Sequence, residues 1–198
     1  GIEDAMMDEY GYVYGHIPAT PGYENCTAIG FLAHMDTAPD YSGENVNPQI
    51  IENYDGKDVV LGTSGRTLTV KDFPSLKNMT GKTLITTDGT TLLGADDKAG
   101  IAEIMTVAEE LLKGDIPHGK VCLAFTTDEE VGSGACHMDL ERFGAPYAYT
   151  VDGGPEGEIQ FENFNAASAE FAIHGVNVHP GEAKDIMVNS MKIAMELQ

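Results

Sequence analysis

Positive charge is scarce in this chain. Lysine and arginine number 11 against 32 aspartates and glutamates, a formal net charge of −21 over 198 residues. A nucleic-acid partner calls for a basic footprint, and the sequence has none. An anionic membrane surface is excluded on the same ground. Cysteine is also rare. Cys26, Cys122 and Cys136 form an odd set with no C-x-x-C pair, so neither a disulfide framework nor a thiolate zinc site is signalled. No run of 18 or more apolar residues occurs, and no secretory leader is read at the start. These absences predict a soluble, cytoplasmic protein in a reducing compartment.

What is present is enough apolar material for a packed core, 42% of residues. The opening "GIEDAMMDEYGYVYGHIPAT" reads as the tail of a helix running into a short strand. "TAIGFLAHMD" is apolar at nearly every position, as strands covered on both faces are. Residues 40–80 carry turn residues and short alternating pieces, an excursion of loops and hairpins, and "KTLITTDG" is a further short strand. In "AGIAEIMTVAEELLKG" the residues Ile101, Ile104, Met105, Ala108, Leu111 and Leu112 recur at helical spacing, with Asp96 or Asp97 to cap the start and Gly114 to stop it. "KVCLAFTTDEE" and "GAPYAYTVDGG" read as two more buried strands. Strands alternating with helices predict an α/β fold with a mostly parallel sheet. The pattern changes near residue 163: "AASAEFAIHGV" alternates like a half-exposed strand, and "HPGEAKDIMVNSMKIAMELQ" reads as a turn and a helix. The domain division expected is therefore 1–163 and 164–198.

The chemistry collects where apolar segments end. "FLAHMD" ends in His34 and Asp36, "TTLLGADD" in Asp96 and Asp97, "LAFTTDEE" in Asp128, Glu129 and Glu130, and "YAYTVDGG" in Asp152. Sites in open α/β sheets form outside the carboxyl ends of the strands. Histidine and carboxylates gathered at one sheet edge predict a divalent metal site, suited to zinc, with manganese or cobalt as substitutes. His34 and Asp36 stand two apart, so both leave the same face of a strand, and Asp36 can fix the imidazole of His34. H-x-D or D-E-E alone is weak; the weight comes from all four clusters lying after apolar segments in one chain.

"LAHMDT", "LLGADDKAGIAEI", "TTDEEVGSGA" and "TVDGG", in that order, resemble the two-zinc peptidase superfamily of aminoacylases, succinyl-diaminopimelate desuccinylase and carboxypeptidases. Within it, "GHIPAT", "DGTTLLGADDKAG" and "FENFNAAS…HGVNVHPG" resemble the branch of tripeptide aminopeptidases called peptidase T. The resemblance implies a three-layer αβα catalytic domain over 1–163 and the start of an α+β lid domain over 164–198. It implies two zinc ions per complete active site. Asp96 resembles the bridging ligand, with a cis bond to Asp97. His34 and Asp152 resemble the other ligands of one metal, and Glu130 resembles a ligand of the second. Glu129 resembles the general base, Asp36 the carboxylate that orients His34, and His179 a lid histidine that steadies the oxyanion. His16, His118, His137 and His174 are read as structural. The substrates implied are small peptides, and a homodimer is compatible with the lid.

The family pattern runs further than this sequence at both ends, with a helix before and a last histidine ligand after, so the chain is expected to be a fragment. With only Asp96 and Glu130 for the second metal, the fragment is expected to be inactive or nearly so. Two other readings stay open: another hydrolase of the superfamily, acting on N-acyl amino acids or dipeptides, and a catalytically silent acidic metal-binding module.

Overall fold

Apolar runs in β-branched and aromatic residues build the centre. The computed structural model describes residues 1–197; Gln198, the end of the expected last helix, lies outside the described residues. Among the described residues there are nine strands: β1 (Met6–Met7), β2 (Val13–Ile17), β3 (Ile29–His34), β4 (Gln49–Ile51), β5 (Val59–Leu61), β6 (Arg66–Leu68), β7 (Leu84–Thr86), β8 (Val121–Thr126) and β9 (Ala148–Thr150). The helices are α1 (Ala95–Leu112), α2 (Leu140–Phe143) and α3 (Ser190–Glu196), with two short 3₁₀ turns. The chain divides into two units after Glu158.

In the first unit the main sheet has the order β1-β2-β8-β3-β9. It is mixed rather than mostly parallel in its pairing. β3 is parallel to both β8 and β9, whereas β2 runs antiparallel to both β1 and β8. The expected helix tail at the start is instead a hairpin. Its turn is made by the Asp8 carboxylate, which accepts the N–H of Tyr10 and of Tyr12 at 2.9 Å each, with Gly11 at φ +85°. That turn chemistry overrides the helix-forming residues around it. β9 is not a buried strand but a short exposed edge.

Side chains alternate across the sheet, and each face has its own core. Val121 and Leu123 of β8 join Ile17, Ala33, Ile104 and Ala108 under α1. Cys122 and Ala124, from the same strand, join Tyr12, Tyr14 and Phe143 on the face that α2 covers. Burying a residue such as Ile104 contributes about 1.5–3 kcal/mol. Met105 and Leu112 continue the apolar stripe of α1 but stay 46% and 43% exposed. Both residues border an apolar groove with Val13, Leu123 and Phe125.

The expected excursion is a small body of its own. β4 pairs with β7 and β5 with β6, both antiparallel, over a core of Tyr54, Val59, Leu61 and Leu76. β7 therefore belongs to this excursion and not to the main sheet. The Asp96–Asp97 pair consequently follows a loop, not a main-sheet strand.

The second unit begins at Ile159. The strand expected from "AASAEFAIHGV" does not form; its last residue, Val176, makes a single antiparallel bridge to Val188. An alternating sequence becomes a strand only when a partner accepts its backbone hydrogen bonds, and this unit offers one position. The turn at Pro180–Glu182 and the helix α3, capped by the Asn189 side chain accepting from the Met191 N–H at 3.0 Å, match the sequence reading. Among the described residues no helix is long and apolar enough to cross a membrane.

Candidate metal centre

Sheet register assembles the site. His34, the last residue of β3, is level with Thr126 of β8, and Leu32 is level with Thr150 of β9. Two residues further along each flank, Asp128 and Asp152 leave the strands beside His34. The loop after β8 turns sharply: Asp128 adopts φ +62°, a left-handed conformation that Asp tolerates better than most side chains. Gly132 N–H then donates to Glu129 O at 2.8 Å and Ser133 N–H to Asp128 O at 2.8 Å, folding Glu129 and Glu130 back toward β3.

His34 is the hub, only 2% exposed. Its Nε2 lies 2.7 Å from Asp96 Oδ1, 3.8 Å from Asp152 Oδ2 and 3.9 Å from Glu129 Oε2. Its Nδ1 lies 3.0 Å from the Asp36 backbone carbonyl and 3.3 Å from Asp36 Oδ1. An Nδ1–H donated to that carbonyl leaves Nε2 facing the carboxylates, the arrangement in which imidazole binds a cation. Two groups have ligand atoms within 4.8 Å of one another: His34, Asp97 and Asp152, and His34, Asp96 and Glu130. The structure thus brings together His34, Asp36, Asp96, Glu129, Glu130 and Asp152. Of these, His34, Glu129 and Asp152 border a cleft of roughly 340 Å³ together with Leu32, Ala135 and Met138.

His179 belongs to the second unit. There its Nδ1 accepts the Gly181 N–H at 3.2 Å, capping the Pro180–Glu182 turn. Of the histidines read as structural, His16 bonds Asp4 Oδ2 at 2.6 Å and the carbonyls of Arg142 and Phe143 at 3.1 Å.

Two aspartates do work that the sequence reading missed. Asp36 was expected only to orient His34. Its two oxygens also accept the backbone N–H of Glu129 at 3.2 Å and of Glu130 at 3.1 Å. Asp97, 3% exposed, accepts the N–H of His34 at 3.1 Å and of Gly100 at 3.1 Å. Only its start-of-helix half was legible, from its place before an apolar periodic segment. The Asp96–Asp97 bond is cis, as the resemblance implied.

Burial first, and crowding of like charges second, set the proton affinities of the site. Burial pushes the Asp152 carboxyl up to about 6, and the charges of Asp97 and Asp96 add to it. Burial pushes Asp97 up as well, against the two N–H donors. For His34, burial pulls downward, but the carboxylates of Asp96, Asp152 and Asp36 prevail and raise it. Burial pushes Asp36 up, and the N–H groups of Glu130 and Glu129 more than reverse this, leaving it lowered. One imidazole and several converging carboxylates form a donor set that suits a divalent ion, and a cation would relieve the repulsion that adds to burial in raising Asp152.

Residues 79–195 match the M42 glutamyl aminopeptidase family, a span that takes in Asp96, Glu129, Glu130 and Asp152 and begins after His34. A peptidase T of Aliivibrio fischeri is 59% identical over 198 residues, covering 100% of this chain and 48% of that protein. A peptidase T of Geobacillus thermodenitrificans is 59% identical over 200 residues, again 100% of this chain and 48% of the relative. The crystal structure of aminopeptidase PepT from Bacillus cereus superposes with a TM-score of 0.59 at 25% identity, over 97% of this chain and 45% of that one. The chain spans about half the length of the curated relatives it matches.

Proposed function

The chain belongs to the M42 glutamyl aminopeptidase family, and on that footing we propose that it is the metal-binding part of a tripeptide aminopeptidase of the peptidase T type. The matched family is named for glutamyl aminopeptidases, whereas the relatives near 59% identity over the whole chain are called peptidase T. We follow the full-length identity. The observation that carries the reading is the convergence of Asp96, Asp152 and Glu129 on Nε2 of one buried histidine.

In this reading His34, Asp96 and Asp152 would hold one zinc ion, and Asp96 with Glu130 would contribute to a second. Bound there, the ions supply Lewis-acid polarisation of a carbonyl and acidification of a water. Glu129, half exposed on the cleft, takes a proton from the attacking water and returns it to the leaving amine. Asp36 keeps His34 turned and holds the backbone of Glu129 and Glu130, so base and ligand move as one piece. His179 is assigned to steady the oxyanion. The whole protein would pair a three-layer αβα catalytic domain with a lid, act on small peptides in the cytoplasm, and admit a homodimer. Among the described residues Asp96 and Glu130 are the ligands assigned to the second ion, and with so few little turnover is expected from this chain alone.

Two measurements test this. Metal analysis of protein purified without chelator should find a transition metal, and none after zinc addition to a folded chain would sink the reading. In the complete protein, Glu129→Gln should retain metal and lose about 10²–10⁴-fold in tripeptide turnover; near-normal hydrolysis would remove Glu129 as the base.

A further inference from the structure

The mechanism leaves one buried carboxylate unused. Asp97 bonds two elements far apart in sequence: the end of β3, through the His34 N–H, and the first turn of α1, through the Gly100 N–H. Hydrogen bonds to an ionised acceptor are stronger than neutral ones, and both acceptor oxygens are engaged.

Gly100 adds a second, independent constraint. A Cβ there would lie 1.9 Å from the carbonyl oxygen of Val151 and 2.5 Å from Asp97 Oδ1. Only a bare Cα lets the helix start press against the segment that follows β9. Val151 in turn donates its N–H to Leu32 O at 2.7 Å, closing the triangle back to β3. The three segments drawn together are those that carry His34, Asp96 and Asp152.

We propose that Asp97 is a positioning residue of the metal centre: through His34 and Gly100 it sets the spacing at which His34, Asp96 and Asp152 face one another, without itself binding the ion. The proposal rests on the reading that these three residues hold a divalent ion. Each Asp97 oxygen keeps a further lone pair, and Asp97 lies within ligand range of His34 and Asp152, so the test separates positioning from ligation.

The first measurement needs no substitution. In the unmodified chain the amides of His34 and Gly100 should exchange hydrogen as slowly as those of β8; exchange at loop rates overturns the proposal. Next, cobalt(II) is titrated into the chain and into the Asp96→Ala, Asp97→Asn and Asp97→Ala variants, reading affinity and the visible absorption band. Asp96→Ala should abolish the band. Asp97→Asn should weaken binding about 10–100-fold, the range for residues that orient metal ligands, shift the band, and release the His34 and Gly100 amides. Unchanged affinity and band in Asp97→Asn overturn the proposal. So does an Asp97→Ala chain that loses cobalt as fully as Asp96→Ala while its two amides stay protected, because Asp97 would then be a ligand. Should the Asp97 variants fail to fold, Gly100→Ala keeps the carboxylate and displaces the helix start. It should weaken cobalt binding in the same direction, and unweakened binding there overturns the proposal. If the unmodified chain binds no cobalt, the metal reading falls instead. Positioning is then judged at fixed pH by the His34 ring nitrogen signals, which Asp97→Asn should move and which, unmoved, overturn it.

Discussion

The two units treat their apolar residues in opposite ways. In the first, Phe143 is 3% exposed and sits over Gly30, where a Cβ would come within 2.2 Å of its ring. In the second, Phe161, Phe164 and Phe171 are 89%, 87% and 69% exposed. Pattern separates them in part: β3 and β8 are nearly unbroken apolar runs, whereas the second unit's expected strand alternates apolar and polar residues. Supply of partners adds to that difference. β3 has a parallel neighbour on each side and a core on each face, whereas the second unit's alternating segment finds one bridge at Val176. Periodicity proposes a strand; pairing makes one.

The comparison breaks first at Phe143. Phe143→Ala should destabilise the chain by about 3–5 kcal/mol in chemical denaturation, because it empties a closed site under Gly30. A loss under 1 kcal/mol would mean that α2 is not holding that face.

A smaller effect is expected from the carboxyl ends of β3 and β9 when metal is absent. Asp152 and His34 both bind protons more tightly folded than unfolded. The stability they contribute is complete below their unfolded pKa values, roughly 3.9 and 6.5. It drains as pH rises, through about 6 for Asp152 and higher for His34. Between pH 4.5 and 8 the metal-free chain should therefore lose stability, by about 1 kcal/mol once solvent screening of the partly exposed Asp152 is allowed for. Asp152→Asn should flatten the lower part of that slope, and zinc should restore stability at the upper end. Asp36 has the opposite sign, its contribution being lost as pH falls through its lowered value, so the scan stays above pH 4.5. Stability that rises steadily with pH would contradict the assignment. The smallest effect sharpens the contrast from the other side: Phe171→Ala should change unfolding free energy by no more than about 0.5 kcal/mol.

Much of this was legible in the sequence. β3, β8 and α1 announce themselves by apolar run or period, and His34, Asp96, Glu129, Glu130 and Asp152 by their places after such segments. The illegible part has two physical causes. Local composition misled at Met6–Met7, where residues at home in a helix yielded to the turn made by Asp8 and Gly11. Long-range bonds left no local trace. Nothing near Asp97 tells that it accepts an N–H from a residue 63 positions upstream, nor that Asp36 holds amides 93 and 94 positions downstream. Sheet order, too, follows from which edges remain free, and so the antiparallel insertion of β2 beside β8 was not foreseen.

The excursion between β3 and α1 carries its own consequence. Its ends touch: a Cβ on Gly94 would meet the Thr37 methyl at 3.0 Å, and the Leu92 N–H donates to Ser42 O at 2.8 Å. What lies between has its own core and two small two-stranded sheets, and among the described residues none of its side chains is in the groups gathered around His34. A detour that leaves and rejoins at one spot is a detachable module. A change of length inside it should leave the acid cluster where it is.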